Sequence, residues 1–452
     1  MSPPKGDGLT PVCQNCIRLQ LSCKRPGPEF KFIIHTDNPS RRDVLETPPS
    51  PPTSEGSVAP SKAIPKSPED GLGQATYLAS LKPRLALQHS TIVRFFHHYV
   101  NVLAPWYDLN DSSRTFGTVV PIRALDTPIL FKAIIAFSAS HWSIEDLAPP
   151  LAQAFHTACV KDLLAVMRNP HESHGDYLAA TCLLRSYEIL NGDTRGNQRH
   201  LLGAYSFAVT GNIDLSTWGL LQAGVWNYLR EEITVGLECR RPVRISTDFP
   251  DFQPDANVQD DMKANLITYI LARIINFCFH GHHDSPLPIQ KERIAEWEGL
   301  RMKLTLWTQN LPSSFEPIST ACATENLFPS FWMLAPWHVS SLQYASIAEI
   351  LLALYDPLYQ ESLEPSIRQV SLDFIQEHVL RVCGLAWTNK DVAARVNAFG
   401  PLSFCGRYLI HKDQQQFLEK MLLDFTVDTA WPVHCIISDL KECWARKEAA
   451  YD

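Results

Sequence analysis

The sequence predicts an all-α protein: a multi-helix body over 81–446, behind a linker over 36–80 and a short head over 1–35. Three observations carry that reading. Apolar residues recur at spacings of three and four through most of the chain, the period of one helix face. Alternating stretches, the mark of half-buried strands, are scarce, and hairpin signals are weak. Prolines fall between the apolar segments, as at Pro149-Pro150, Pro170, Pro312 and Pro357, where they are expected to separate helices. The chain has 452 residues, 45% apolar and 19% charged, which suits a folded core. No fixed-period repeat is apparent.

The head carries "PVCQNCIRLQLSCKRPG", with Cys13, Cys16 and Cys23 in C-x2-C-x6-C spacing. Zinc takes tetrahedral thiolate and imidazole ligands, and C-x2-C sets two sulfurs on one turn around one ion. Three sulfurs leave that ion a ligand short, so these cysteines read as structural zinc ligands of an incomplete site. His35 is a distant fourth candidate, and three chance cysteines in a leader are the other alternative. Up to His35, Lys5, Arg18, Lys24, Arg25 and Lys31 outnumber Asp7 and Glu29, a local excess of +3 on a chain of net charge −8. A basic head on an acidic body suits local contact with a phosphate backbone, with Arg18, Lys24, Arg25 and Lys31 as the contacting cations.

The linker is dense in Pro, Ser and Gly and nearly free of bulky apolar residues. It cannot bury enough surface to offset an ordering entropy of about 1–2 kcal/mol per backbone residue, and it is expected to be disordered. Its Thr47-Pro48, Ser50-Pro51 and Ser67-Pro68 pairs fit proline-directed phosphorylation, though such pairs are common in any Pro-rich stretch.

In the body, "STIVRFFHHYVNVL" sets Ile92, Phe95, Phe96, Tyr99 and Leu103 on one helical stripe. "PILFKAIIAFSASHW" is apolar nearly all round, with Pro128 in a first turn behind Asp126-Thr127 as candidate caps. "NLITYILARIINFCF" and "YASIAEILLALY" read as buried helices, and "LNGD" at 190–193 as a helix-helix turn. Further on, Phe417, Met421, Leu422 and Phe425 share one face. Cys159, Cys182, Cys278 and Cys383 are expected as small buried hydrophobes, and Trp106 and Trp142 as core aromatics. Arg199, Arg230, Glu231 and Glu232 are expected in inter-helix ion pairs or on charged faces.

Catalytic patterns are missing from this reading. There is no G-x-S-x-G elbow, phosphate-binding glycine loop or H-E-x-x-H, and Asp260-Asp261 lacks further nearby carboxylates for magnesium. "FHGHHDSP" reads as a polar loop rather than a metal site, while His97-His98 lies on a predicted helix and is ambiguous. No enzyme activity is expected. No signal-peptide pattern opens the chain and no run of about 18 uncharged apolar residues occurs, so a membrane partner is not expected and a reducing compartment is.

The segment from Phe95 to Ser143 resembles the opening of the fungal-specific transcription factor domain. The resemblance is carried by Leu103, Ala104, Pro105, Trp106, Asp108, Asp111, Arg114, Phe116, Val120, Pro121, Ala124, Pro128, Ser138, Ala139 and His141. "LLRSYEIL", "RHLLGAYSF", "AGVWNYLREEITVGLECRRPV", "PWHVSSLQYASIAEILLALYDP" and "AWPVHCIISDLKECW" continue it in the same order, so it spans about Gln88 to Trp444. The cysteine head resembles the second half of the binuclear zinc cluster that precedes this domain in fungal regulators. The first half normally carries several Arg and Lys between its cysteines; here only Arg18 lies between Cys16 and Cys23. The resemblance implies a nuclear regulator of RNA polymerase II genes, in the setting of a metabolic gene cluster, with structural zinc. It implies double-stranded DNA as a partner, weakened or lost here, and contacts with a second copy and with the transcription machinery. The alternative is a regulatory body without DNA binding: a corepressor, decoy or dimerisation partner. The missing cluster half is expected upstream of Met1.

Overall fold

The computed structural model describes residues 68–142, 148–168, 174–192, 204, 219–244, 259–280, 287–321, 327–357 and 365–449. The chain divides into two compact units, Met1–Gly71 and Leu72–Asp452, and the architecture below is that of the second with the start of its leading helix. It is all-α, with sixteen α-helices among the described residues.

Helix α1 (Pro68–Ser80) already occupies part of the stretch expected as linker over 36–80. Its Ala75, Leu78 and Ala79 are buried, which supplies the apolar spacing that the Pro and Ser content masks. After α2 (Pro83–Ala86) comes α3 (Ser90–His98), continuous with a π turn over Tyr99–Leu103 and with α4 (Ala104–Tyr107). Pro105 accounts for the π turn: it has no N–H, and its ring would strike the carbonyl four residues back, so the helix widens just before it. Ile92, Phe95, Tyr99 and Leu103 are fully buried, as their stripe predicts, and Phe96 packs half-buried beside them.

The turn from α4 into α5 (Thr115–Ala124) is tied by two carboxylates. Asp108 accepts from the Phe116 and Gly117 amides at 2.7 and 2.9 Å. Asp111 accepts from the Ser113 and Thr115 amides, both at 2.9 Å. The Ser113, Thr115 and Phe116 amides at this helix start are thereby satisfied, and the Gly117 amide is shared with the Arg114 carbonyl at 3.0 Å. Burial pushes the Asp108 carboxyl up to about 7, with Asp111 adding to the rise and the two amides opposing it. A Cβ at position 117 would stand 3.0 Å from Asp108 Oδ2, so glycine lets the backbone approach its own cap.

Helix α6 (Pro128–His141) is the centre of the N-terminal half, buried from Ile129 to Ala139 except at Lys132. It packs on α3, α7 (Ala148–Arg168) and α8 (His174–Leu190). Pro149 and Pro150 lie in the first turn of α7 rather than between helices, because the missing N–H of a proline is harmless there. The chain turns out of α8 at Gly192, with φ of 87°.

The second half is built on α9 (Leu220–Cys239), α10 (Asp260–Phe279), α11 (Leu287–Gln309) and α12 (Pro336–Leu354). The remaining helices are α13 (Pro365–Thr388), α14 (Val392–Gly406), α15 (Lys412–Thr429) and α16 (His434–Glu448). Helix α9 packs on α8, α10 and α14, and α12 on α10, α13 and α14. Helix α10 is long and apolar enough to cross a membrane, but it bears Asp260, Asp261, Lys263 and Arg273 and two thirds of its apolar window is buried in the fold. Each large apolar side chain buried in these seams contributes about 1.5–3 kcal/mol. The four cysteines expected in the core are buried there, and burial pushes the Cys182 and Cys383 thiols up to about 12.

One short antiparallel ribbon interrupts the helices, β1 (Ser319–Ala321) against β2 (Ser330–Trp332), with Thr320 opposite Phe331. It is held to the end of α13: the Phe331 amide donates to Thr388 Oγ1 at 3.1 Å, and Asn389 Nδ2 donates to the Phe331 carbonyl at 2.8 Å.

Candidate functional site

Cys13, Cys16, Cys23, Arg18, Lys24, Arg25 and Lys31 lie outside the described residues, as does Arg199. Among the described residues no three His, Cys, Asp or Glu side chains are grouped to hold a metal ion. The Asp260-Asp261 pair is used structurally. Asp260 Oδ2 meets His338 Nε2 at 2.9 Å, and Asp261 Oδ2 accepts from the Ser112 amide at 3.0 Å. In "FHGHHDSP", His280 closes its own helix against the Asn276 carbonyl, and 281–286 lie outside the described residues.

The neighbouring histidines separate in role. His97 faces Asn101 on the surface. His98 Nε2 lies 3.0 Å from His141 Nδ1, between the rings of Trp106 and Trp142. Burial, and then the nearby His98, push His141 down to about 4; burial also lowers His98. In the unfolded chain both would take a proton near pH 6.5, whereas the folded pair stays neutral. The stability this gives is complete above about pH 6.5 and is lost as pH falls toward 4. We expect His141 to account for about 2–3 kcal/mol of that acid loss. His378, also pushed down to about 4 by burial and Arg381, adds to the same limb. Urea unfolding at pH 7.0 and 4.5 checks this: His141→Phe should flatten the difference, and an unchanged difference would refute the assignment.

A cavity of about 120 Å³ lies where α4, α8, α9, α14 and α16 meet. Helix α4 contributes Trp106 and Tyr107, and α8 contributes Cys182, Arg185 and Ser186. Helix α9 presents Asn227, Tyr228, Arg230 and Glu231 along its inner face, positions separated by three or four residues plus their neighbours. Asn397 and Phe399 come from α14, Trp431 from the turn before α16, and the exposed Cys435 marks the way out to the surface. Phe399 and Trp431 are stacked, 5.4 Å apart and 11° from parallel.

The polar groups on this wall differ in how well they are served. Arg185 donates to Glu231 at 2.8 Å and to Glu188 at 3.4 Å; burial alone would lower it, and the two carboxylates more than offset that. Tyr107 Oη meets Ser186 Oγ at 2.6 Å. Arg230 is only 7% exposed, yet its partners among the described residues are Asn227 Oδ1 at 2.6 Å and the Tyr107 carbonyl at 3.2 Å, both through Nη2. Among the described residues no carboxylate touches it, and burial lowers its affinity for its proton. Trp106 Nε1, Tyr228 Oη and Asn397 Nδ2 are buried with no hydrogen-bond partner among the described residues. Asn397 has its Oδ1 fixed by Tyr344 Oη at 2.9 Å, which leaves Nδ2 as the free end.

Sequence reasoning had set Trp106 down as a core aromatic and Arg230, Glu231 and Glu232 as ion-pair or surface charges. Glu231 does pair across helices, and Glu232 pairs with Arg241, but among the described residues Arg230 has no partner of opposite charge. The one local signal available was the apolar face of α9, on which an arginine at position 230 is out of place.

Residues 94–209 match the fungal specific transcription factor domain. This stretch runs from within α3 past the end of α8, so it includes the Asp108 and Asp111 cap, the central helix α6 and the cavity residues Trp106, Tyr107, Arg185 and Ser186. The chain is also similar to the transcription activator AMTR1 of Alternaria alternata, at 22% identity over 344 residues. That alignment covers 60% of this chain and 44% of the relative, so the chain spans less than half the relative's length. No solved structure matches. The domain and the relative together support a transcription regulator, and the rest of the cavity wall comes from α9, α14 and α16, beyond the matched stretch.

Proposed function

We propose that this chain is a nuclear transcription regulator of the binuclear zinc-cluster type, not an enzyme, with its helical body as the regulatory part. The observation that carries the reading is the match to the fungal specific transcription factor domain behind a head bearing Cys13, Cys16 and Cys23. Similarity to a protein described as a transcription activator supports it. The three cysteines would hold structural zinc, and Arg18, Lys24, Arg25 and Lys31 would meet DNA phosphates. The genes it acts on would be those of a metabolic cluster, and its other contacts a second copy and the transcription machinery.

The head favours a qualified form of this reading. Three cysteines serve one cluster half, and the half present has only Arg18 between Cys16 and Cys23. Phosphate contacts position a protein without reading sequence. The chain as given is therefore expected to bind duplex DNA weakly, with each phosphate contact adding about 0.9 to the salt slope. In an anisotropy titration at two salt concentrations, it should prefer a CGG-containing duplex over a scrambled one by less than about tenfold. Joining a basic C-x2-C-x6-C segment upstream should raise the preference to about a hundredfold, or about 2.8 kcal/mol at about 1.4 per decade. A hundredfold preference without the added segment would show that the base-reading half is already present. No gain on adding it would favour the other reading, a regulatory body that works without contacting DNA.

A further inference from the structure

We infer that the cavity between α4, α8, α9, α14 and α16 binds a small planar carboxylate, with Arg230 as its ion-pair partner. The inference goes beyond the transcriptional reading and does not rest on it.

Size and walls set the first limit. The volume, about 120 Å³, is comparable with that of an engineered cavity of about 150 Å³ that admits benzene, so a single ring fits. Trp106, Tyr107, Tyr228, Phe399 and Trp431 surround that space with flat faces. Aromatic walls with a few placed polar groups are the usual make-up of small-molecule sites.

The polar groups set the second limit. A buried guanidinium without a carboxylate is a costly arrangement, because the charge has left water and nothing of opposite sign replaces it. Arg185, on the same wall, shows the ordinary solution, with Glu231 and Glu188 in contact. Arg230 lacks that solution, and Asp108 and Asp111 act on it only through space. Three further lining residues carry buried polar atoms without partners: the Trp106 indole nitrogen, the Tyr228 hydroxyl and the Asn397 amide nitrogen. Indole and amide nitrogens only donate, and a tyrosine hydroxyl donates readily. Native proteins leave few such groups unserved, and each left so costs about 1–3 kcal/mol. The carboxylates on this wall are Glu231, held by Arg185, and Glu238; the unmet need of Arg230 and these three groups is for acceptors and negative charge, which a carboxylate provides and an amine does not. The exposed Cys435 places the opening at the protein surface, so a metabolite has a route in.

Calorimetric titration of the full chain with benzoate, and with benzyl alcohol as the uncharged match, tests this. Benzoate should saturate one site, and benzyl alcohol should bind at least tenfold more weakly. Arg230→Gln should weaken benzoate at least tenfold. Asn397→Asp keeps the acceptor for Tyr344 and the shape of the side chain but adds a negative charge, and it should weaken benzoate to a similar degree. It therefore decides the matter if Arg230→Gln does not fold by circular dichroism. No saturation by benzoate up to about 10 mM, the weak end of useful affinity, would overturn the proposal. Equal binding of the alcohol, or parental affinity in the folded variants, would overturn it as well. The titration involves neither zinc nor DNA, so this inference and the transcriptional reading fail separately.

Discussion

Glu232→Ala is expected to remove about 3–5 kcal/mol of folding stability, a large part of the 5–15 kcal/mol typical of a domain. The Glu232 side chain is fully buried and serves three donors. Its Oε2 accepts from Arg241 Nη1 and from the Arg244 amide, each at 2.8 Å, and Oε1 accepts from Arg241 Nη2 at 3.2 Å. Those bonds fold the chain back on itself after α9, where Arg240 takes a left-handed conformation with φ of 50° and the Val243 amide docks on Asn276 Oδ1 at 2.8 Å. Alanine would take from the half-buried Arg241 guanidinium its only carboxylate among the described residues, leaving it the Pro242 carbonyl, and would take the acceptor from the Arg244 amide. The adjacent Glu231 is the comparison: its partner Arg185 keeps Glu188, so Glu231→Ala should cost about 1 kcal/mol. Urea denaturation of both variants measures the gap. Equal losses would mean that the Glu232 network is not what holds this turn.

Gly384→Ala is expected to destabilise by about 3 kcal/mol, against the ordinary trend for helices. In a helix interior, alanine gains up to about 1 kcal/mol over glycine. Gly384 sits on α13 where the β ribbon crosses it, and a Cβ there would stand 2.2 Å from the Pro329 carbonyl oxygen and 3.2 Å from Phe331 Cε2. The obstacle is backbone, and the ribbon is pinned nearby through Thr388 and Asn389, so it cannot swing away cheaply. Gly299, in α11, has nothing within 4 Å of the same built atom, and Gly299→Ala should raise the melting temperature slightly. Opposite signs from the same chemical change are the expected result. A neutral Gly384→Ala would show that the ribbon does not rest on α13.

Much of the fold was legible because helix formation is written in residues three and four apart. The stripe from Ile92 to Leu103 is buried as read apart from the half-buried Phe96; of the face read as Phe417, Met421, Leu422 and Phe425 on α15, the last three are buried, while Phe417 is half-buried and its neighbour Leu418 takes the core position. The first turn of α6 begins at Pro128 as read, and α8 ends at the predicted turn. Asp260 and Asp261 are both engaged by neighbouring elements, Asp260 by His338 and Asp261 by the Ser112 amide. The start of the helical body was misplaced, since α1 is rich in small residues and its apolar face is thin. The β ribbon was missed because three-residue strands carry no usable alternation.

The sequence by itself determined the all-α class, most helix faces and the likeness to a fungal regulator, because each rests on local spacing or ordered motifs. Only the tertiary structure decided which charges are served. Glu231 and Glu232 are neighbours in the chain, yet one faces Arg185 on α8 and the other folds back to Arg241. Arg230 stands beside them and meets no carboxylate among the described residues. The cavity wall likewise joins Tyr107 to Ser186, 79 positions apart, and Tyr344 to Asn397, 53 apart. Side-chain pairing at such separations depends on how helices cross and where each residue points on its turn, and the identity of neighbours along the chain carries neither.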